Sequence, residues 1–131
     1  MEDTIFTKII KGEIPSHKIY EDEHVFAFLD INPISLGHTL VVPKTQVRFV
    51  WDLEASDYEA LTLAAQKIAL HLRESLGVPF VGEQIVGFDV PHAHVHLIPF
   101  TDISEFQRHP DPDHEPDHTA LAVLAEQIKL S

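Results

Sequence analysis

Residues 90–99 read VPHAHVHLIP, and their histidines occupy every second position, at 92, 94 and 96. Successive side chains of a β-strand point to opposite faces of its sheet. A strand through this run therefore places three imidazoles on one face and packs Ala93, Val95 and Leu97 behind them. An ordinary surface strand is the weaker interpretation, because apolar residues fill the opposite face. The run predicts a packed strand with a functional face.

The length of the whole chain fits one domain. With 131 residues and 44% hydrophobic content, it can bury a single core. We expect one domain over 1–131, with its core at about 4–106. A loop rich in Pro, Asp and His at 107–117 and a C-terminal helix at 118–130 would complete it.

Hydrophobic periodicity indicates where the main elements lie. Apolar residues at helical spacing predict one long helix that begins near Ser56, which would form a capping box with Glu59, and ends at Gly77. Short terminal helices are predicted at IFTKII and after Asp117, whose side chain would cap the second one. Five strands are predicted at HKIYED, HVFAFLDI, GHTLVVP, 81–90 and 92–99. Their order and short links predict an α+β fold with a five-stranded antiparallel sheet.

The charge balance excludes several partners. Nine Lys and Arg against 21 Asp and Glu give a formal net charge of −12, which repels nucleic acids and anionic membranes. Apolar runs are far shorter than the ~20 residues of a membrane span, and the start MEDT does not resemble a signal peptide. We therefore expect a cytoplasmic protein with no nucleic-acid or membrane partner. Zero cysteines exclude disulfides and thiolate metal sites.

Two chemical roles compete for the three histidines. An H-x-H strand is a good zinc half-site, but a catalytic metal usually adds carboxylates, and no acidic residue lies between Val90 and Thr101. Alternatively, a neutral imidazole attacks phosphorus, provided that its neighbours fix the tautomer and stabilise the imidazolium. Rings on a shared face supply a nucleophile together with donors to phosphate oxygens and the leaving group. The pattern favours the nucleophile, with metal binding as its rival.

These residues resemble the histidine triad family. HAHVHLI matches the family signature H-x-H-x-H-φ-φ, in which φ is apolar, and the stretch from Ile5 to Lys44 resembles the N-terminal half of family members. The resemblance covers roughly residues 4–106. It implies an intracellular nucleotide hydrolase or transferase that acts at the α-phosphorus without a cofactor. It also implies a homodimer in which two five-stranded sheets join into one.

The resemblance implies roles for single residues. His94 matches the nucleophile, and His96 matches the histidine that contacts phosphate and the departing group. His92 and His38 match histidines that orient the nucleophile through hydrogen bonds. Asp30 matches the carboxylate that binds the ribose, since an acceptor-only group can take protons from both hydroxyls. The apolar base pocket is matched by Ile5, Phe6, Ile9, Phe28 and Ile31, for each of which core packing is an equally good explanation.

One departure from the family pattern concerns metal. Members with a structural zinc usually begin C-x-x-C and carry a further histidine after the PK that ends the N-terminal motif. This chain has Thr4 and Thr7 at the first two positions and Thr45 and Gln46 after Lys44. We therefore expect that zinc to be absent and assign no metal ligand.

Other departures fall in the phosphate region. Phe88 and Asp89 follow Gly87 where members commonly read G-Q-S or G-Q-T, and Val81 stands where many have asparagine. If the strand continues back across Pro91 without a bulge, Phe88 lies on the histidine face and Asp89 opposite, whereas a bulge exchanges them. A carboxylate on the histidine face would repel polyphosphates and favour a neutral or cationic leaving group.

We therefore expect a histidine triad hydrolase. Its substrate would be a nucleoside monophosphate, with a purine base preferred, joined to an amine or a second phosphate, and a nucleotidyl-His94 intermediate would form. The alternatives are a dinucleoside polyphosphate hydrolase and a nucleotide-binding or interaction protein with negligible turnover. His109, His114 and His118 accompany several acids, and their composition favours a solvated loop over an ion site.

Overall fold

The computed structural model describes residues 2–130, which form one antiparallel sheet with helices on both faces. The elements are α1 (Ile5–Ile10), β1 (Lys18–Glu21), β2 (Val25–Leu29), β3 (Thr39–Pro43), a 3₁₀ turn (Val50–Asp52), α2 (Ala55–Leu76), β4 (Phe80–Gln84), β5 (Val95–Phe100), α3 (Ile103–Phe106) and α4 (His118–Ile128). The strands lie in the order β1-β2-β3-β5-β4. The predicted α+β class, with five antiparallel strands and one long helix, is confirmed.

Each face of the sheet carries its own apolar layer. On one face, α2 and α4 pack against the strands and form the larger core. On the other face lies a smaller cluster that joins α1 to the central strands, with Phe6, Ile9, Phe26, Phe28, Leu40 and Val42 as its members. Every residue of β2 and β3 is buried, because these strands are covered from both sides. The histidines of β5 and of the segment before it lie on the α1 side.

The long helix begins one residue earlier than the sequence predicted and is capped differently. α2 starts at Ala55, and Glu54 occupies the N-cap position without a side-chain hydrogen bond. The predicted capping box of Ser56 and Glu59 is therefore wrong, because both residues lie inside the helix. The predicted end is confirmed. Gly77 terminates the helix in the left-handed region, at a φ of 65°, which glycine adopts without strain.

The two strands around the proline-containing segment are shorter than predicted. β4 ends at Gln84, and β5 begins only at Val95. The intervening segment leaves the sheet, since its proline has no N–H for the ladder and the Ala93 N–H donates to the Val47 carbonyl at 2.7 Å. Consequently, the first two histidines of the triad precede the strand instead of lying within it.

The end of the chain adds one helix that the sequence did not indicate. α3 follows Asp102, which forms a capping box with Glu105. The C-terminal helix is capped by Asp117 as predicted, since the Asp117 side chain accepts the Ala120 N–H at 3.0 Å, but it ends at Ile128. Within residues 2–130, no helix combines the length and the apolar character that crossing a membrane requires.

Candidate active site

Four histidines meet on the face of the sheet that α1 covers. His38 lies just before β3, His96 lies in β5, and His92 and His94 lie in the irregular segment between β4 and β5. The ring centroids of His94 and His96 are 5.0 Å apart, and those of His96 and His38 are 5.2 Å apart. The Phe6 ring of α1 stands edge-on to His94 at 5.1 Å. The residues that alternate with the triad belong to the larger core, so its three imidazoles share one face.

Hydrogen-bond partners determine which nitrogen carries the proton in the first two rings. A carbonyl oxygen only accepts, so His92 Nε2 donates to the Pro43 carbonyl at 2.8 Å and His92 Nδ1 is an acceptor. By the same rule, His94 Nδ1 donates to the His92 carbonyl at 2.7 Å. His94 Nε2 therefore keeps a free lone pair. This atom is buried and has no hydrogen-bond partner in the described part of the chain, as a nucleophilic imidazole requires.

The other two rings form a second ordered pair. His38 Nδ1 accepts the Ile34 N–H at 3.0 Å. His38 Nε2 therefore carries a proton and donates it to His96 Nδ1 at 2.9 Å. His96 must hold its own proton on Nε2. The half-buried His96 ring thus offers one N–H donor beside His94, where an oxygen or nitrogen of a ligand can accept it.

Burial keeps these rings neutral near pH 7. It lowers the pKa of His38 to about 4. Burial, and after it the neighbouring His38, lowers the pKa of His96 to about 4. Burial also lowers the pKa of His92, although its hydrogen bond to Pro43 opposes the shift. The three rings around His94 are therefore neutral imidazoles with defined tautomers.

Two carboxylates flank the histidines in different settings. Asp30 follows β2, and its Oδ1 accepts the Asn32 N–H at 2.8 Å while its Oδ2 lies 3.6 Å from His38 Nε2. Burial raises the pKa of Asp30. Asp89 lies between β4 and β5 with 68% of its side chain exposed, and its Oδ1 is 3.5 Å from His94 Nε2. The unpartnered lone pair of His94 thus faces a carboxylate.

An apolar cavity of about 250 Å³ lies between α1 and the sheet, and His94 and His96 line it. Every residue that the sequence assigned to nucleotide binding also lines it, namely Ile5, Phe6, Ile9, Phe28, Asp30 and Ile31. Three of them, Phe6, Ile9 and Phe28, belong to the smaller core cluster as well. Core packing and cavity lining were rival explanations in the sequence, and the same side chains do both.

A larger cavity of about 540 Å³, named the outer cavity here, opens on the other side of the histidines. It shares Asp30, Asp89 and His96 with the apolar cavity, so the two cavities meet at the reactive rings. Its far wall is the segment from Phe106 to Pro110, which includes Arg108. The Phe106 ring lies directly over Gly82 of β4, where a side-chain Cβ would collide with it.

The sequence analysis missed one polar residue of this wall. Gln84 pairs with His96 in the β4–β5 register and lines the outer cavity. Val81, which the sequence interpretation aligned with an asparagine of the family, packs against the larger core behind the sheet. Val81 and Gln84 are an odd number of steps apart on β4, so their side chains face opposite ways, and Gln84 is the one that lines the outer cavity. No motif of the sequence marked Gln84, and its pairing with His96 across β4 and β5 is what identifies it.

The two phosphate-region candidates lie at different distances from the rings. Asp89 contacts His94, as expected for a segment that departs from strand geometry. Phe88 is 84% exposed and lines only the outer cavity. The carboxylate, rather than the aromatic ring, is therefore the side chain that a phosphate at His94 would meet.

One trio in the site has the residue types of a metal centre. Ligand atoms of Asp30, His38 and His96 lie within 4.8 Å of one another, the one such grouping found within residues 2–130. Two of those atoms are already joined, since His38 Nε2–H donates to His96 Nδ1. An ion could bind all three only if that hydrogen bond were broken and His38 lost its Nε2 proton. The absence of a resident metal stays a prediction.

Comparisons with known proteins match both the fold and the histidine run. Residues 11–102 match the family model described as HIT domain. A Bacillus subtilis protein named hit is 45% identical over 104 residues, covering 75% of this chain and 71% of its own. A purine nucleoside phosphoramidase of Escherichia coli K12 is 36% identical over 104 residues, covering 74% and 87%. A crystal structure of a Hit-like protein from Bartonella henselae superposes with a TM-score of 0.85 at 31% identity, covering 96% of this chain and 93% of the other.

Proposed function

The chain belongs to the histidine triad, or HIT domain, family, and on that premise we propose that it hydrolyses nucleotide conjugates at the α-phosphorus. The substrates we favour are phosphoramidates of purine nucleosides, the class named for the E. coli relative. The observation that carries the proposal is the state of His94. Its Nδ1–H is held by the His92 carbonyl, while its buried Nε2 has no partner among residues 2–130.

The two cavities suggest how such a substrate binds. The base occupies the apolar cavity beside Phe6, and the ribose hydroxyls donate to Asp30. The α-phosphate then lies between His94 and His96, where the cavities meet. The leaving group extends into the outer cavity, whose volume exceeds that of the apolar one. The pose uses each cavity for one half of the substrate.

In the first step, the lone pair of His94 Nε2 forms a bond to phosphorus, and the bond from phosphorus to the leaving nitrogen breaks. The electron pair of that bond stays on the departing nitrogen, which accepts a hydrogen bond from His96 Nε2–H and takes up a proton from a water molecule, leaving hydroxide. The His94 ring gains positive charge, and its Nδ1–H donates to the His92 carbonyl, which stabilises that charge. The product is a nucleotidyl-His94 intermediate.

In the second step, water attacks the same phosphorus. The bond from phosphorus to His94 Nε2 breaks, and its electron pair restores the neutral imidazole. The proton that the attacking water loses neutralises the hydroxide left by the first step, and His96 keeps its Nε2 proton throughout. The mononucleotide then leaves, and no cofactor or oxidant enters the balance.

A single-turnover experiment tests this proposal. Excess enzyme is mixed with adenosine and guanosine phosphoramidates, quenched at high pH because phosphohistidine bonds are acid-sensitive, and examined as intact protein by mass spectrometry. We expect one nucleotide on the chain at early times, located on the peptide that carries His94, followed by release of the mononucleotide. Product formation without any adduct would contradict the covalent route.

A dinucleoside polyphosphate hydrolase is the second candidate, and the volume of the outer cavity favours it. Asp89 argues against it, because a carboxylate 3.5 Å from His94 Nε2 faces the position that a phosphate chain would occupy. Under the same assay, a binding protein with negligible turnover would retain nucleotide but show neither adduct nor product. Comparing both substrate classes in parallel separates these alternatives.

Metal-dependent hydrolysis makes a different prediction. The covalent imidazole route uses only groups of this chain, so a chelator such as EDTA, followed by dialysis, should leave the single-turnover rate within about twofold. Loss of the rate, with recovery on addition of Zn²⁺, would show that Asp30, His38 and His96 hold an ion instead.

We also propose a homodimer that forms through β4. This strand pairs with β5 on one side, and its other edge has no strand partner among residues 2–130. Phe80 at its start is 52% exposed, and pairing with a second copy would cover it. Light scattering at micromolar concentration should give twice the chain mass, and Phe80→Asp should give the monomer. Val123→Asp, at an equally exposed apolar site on α4, is the control.

A further inference from the structure

Thr4 makes a buried contact with the triad that the reaction described above does not use. Its hydroxyl lies 2.7 Å from His92 Nδ1, although the two residues are 88 positions apart in the sequence. Thr4 is also the N-cap of α1, where Thr4 Oγ1 accepts the Thr7 N–H at 3.1 Å. One hydroxyl therefore joins the start of α1 to the first histidine of the triad.

The direction of this hydrogen bond is determined by its neighbours. Because His92 Nε2–H donates to the Pro43 carbonyl, His92 Nδ1 has no proton and must accept. The Thr4 hydroxyl proton therefore points to His92, and the lone pairs of Thr4 Oγ1 receive the Thr7 N–H. The hydroxyl acts as donor and acceptor at once. A carboxylate at this position could cap α1 but could not donate to His92.

Gln46 holds Thr4 in place from the far side. Gln46 Oε1 accepts the Thr4 N–H at 3.1 Å and the Thr7 hydroxyl at 2.6 Å, and Gln46 Nε2 donates to the Glu2 carbonyl at 2.8 Å. Both ends of the amide are therefore occupied, which fixes its orientation. The segment after β3 is thus tied to the start of α1. Thr7 Oγ1 lies 3.3 Å from Thr4 Oγ1 and 3.4 Å from His92 Nδ1, but it donates its proton to Gln46 at 2.6 Å, so the closer Thr4 hydroxyl is the donor to His92.

We propose that Thr4 is a positioning residue for the nucleophile, an inference that rests on the proposed function. By donating to Nδ1, Thr4 selects the His92 tautomer that keeps the ring bonded to the Pro43 carbonyl. The ring and the backbone of His92 are thereby fixed, and the His92 carbonyl aims His94 by accepting its Nδ1–H. Thr4 acts on the reaction through His92 and contacts no reacting atom.

The same bond links nucleotide binding to catalysis. α1 carries Phe6, which lines the apolar cavity and stands edge-on to His94. A nucleotide base that packs against α1 therefore contacts the helix whose N-cap residue, Thr4, is hydrogen-bonded to His92. Alignment of the nucleophile and docking of the base depend on one position of α1, and loss of Thr4 should reduce the rate of the chemical step more than the affinity.

Four variants separate positioning from folding. Thr4→Val keeps the shape and removes the hydroxyl, whereas Thr4→Ser restores it. Thr4→Asp retains the cap of α1 but presents an acceptor to His92 Nδ1. Thr45→Val, an exposed threonine beside Gln46 that lies outside this network, is the control.

The first readout is kinetic. We expect Thr4→Val and Thr4→Asp to slow nucleotidyl-His94 formation about 10- to 100-fold, the size of effect that a small misplacement of a reacting group produces. Kd for the mononucleotide should stay within about twofold, and Thr4→Ser and Thr45→Val should retain the wild-type rate. A wild-type rate in Thr4→Asp, or a loss of rate that follows only the fraction of unfolded protein, would overturn the proposal.

The second readout does not depend on activity. Nitrogen-15 NMR of histidine side chains distinguishes the two tautomers, and we expect His92 to carry its proton on Nε2 in the wild type and in Thr4→Ser. In Thr4→Asp, His92 should gain a proton on Nδ1. If the wild type forms no adduct but the tautomers behave as stated, the proposed function fails while the contact is correct; unchanged tautomers in Thr4→Asp would reject the positioning role itself.

Discussion

The two cavities on either side of the triad are built in contrasting ways. The apolar cavity lies between α1 and β2, both of which belong to a core cluster, so its walls are held by burial. The outer cavity is bounded by the segments between β4 and β5 and after β5, which have little regular structure. We infer that the fold defines the nucleotide side of the site, and that segments outside the sheet define the leaving-group side.

The two carboxylates show the same contrast. Asp30 is half-buried, and a backbone N–H holds it. Asp89 is mostly exposed. Its Oδ1 lies 3.5 Å from His94 Nε2. A buried, held carboxylate suits a constant task such as ribose binding, whereas an exposed one on a loop suits selection among leaving groups. The predictions below test this division, from the largest expected effect to the smallest.

Replacing the nucleophile His94 should leave both cavities intact while abolishing turnover. We expect His94→Ala to lower the single-turnover rate at least about a thousandfold, because no other lone pair is directed at phosphorus. Mononucleotide Kd, measured by calorimetry, should change little, since both cavities retain their walls. Turnover of phosphoramidates at the wild-type rate by His94→Ala would reject the mechanism.

On the nucleotide side, Asp30→Asn should weaken binding rather than chemistry. Hydrogen bonds to a charged acceptor contribute about 1.5–3 kcal/mol each, so Kd for AMP should rise about 10- to 100-fold. A 2′,3′-dideoxy analogue supplies the matched control, because it lacks the hydroxyls that Asp30 is proposed to accept from. The wild type should bind the analogue more weakly than AMP, whereas Asp30→Asn should bind the two equally. An equal loss of affinity in both proteins would contradict the assignment of Asp30 to ribose binding.

On the leaving-group side, Asp89→Ser should change the selectivity between the two substrate classes. Repulsion between like charges a few ångströms apart costs on the order of 1–4 kcal/mol. Relative kcat/KM for a dinucleoside polyphosphate against a phosphoramidate should therefore rise about tenfold or more. Asp52→Ser, an exposed carboxylate in the 3₁₀ turn, makes the same change in net charge and should not alter the ratio. A wild type that already prefers the polyphosphate would contradict the proposed role of Asp89.

The smallest effect concerns the pH dependence of stability. His38 and His96 have a folded-state pKa of about 4, below the ordinary 6.5, so the unfolded chain binds protons first as the pH falls. Their contribution to the free energy of unfolding is complete above pH 6.5 and is lost between 6.5 and 4, at up to ~1.4 kcal/mol per pH unit for each group. Chemical unfolding in that window should give a shallower slope for His96→Asn than for wild type. Equal slopes would show that these rings are not held neutral.

The sequence predicted best those features of the site that depend on local patterns. The histidine alternation is a local pattern whose consequence depends on the strand period, so the shared face followed from it. The residues that line the apolar cavity were assigned through the resemblance to the histidine triad family. The Ser56 capping box failed because Ser56 lies two residues after the N-cap residue Glu54, although its spacing to Glu59 is correct. Caps depend on where the chain turns, which periodicity alone does not locate.

The contacts that the sequence could not predict join distant segments. Thr4 and His92 are 88 positions apart, and no local pattern connects them. Gln84 belongs to no motif of the sequence, and only the register between β4 and β5 places it opposite His96 at the outer cavity. Arg108 follows the family motif, and only the path of the chain after β5 brings it to the outer cavity.

The contact between Gly82 and Phe106 also bears on how such a site can change over evolutionary time. Phe106 can lie flat on β4 only because residue 82 has no side chain, and it places one end of the wall that includes Arg108. Neither residue takes part in the hydrogen bonds that order the four histidines. Substitutions at this single packing contact would therefore move the wall while the four imidazoles stay in register. Descendants of such a chain could acquire new leaving groups without first losing the old chemistry.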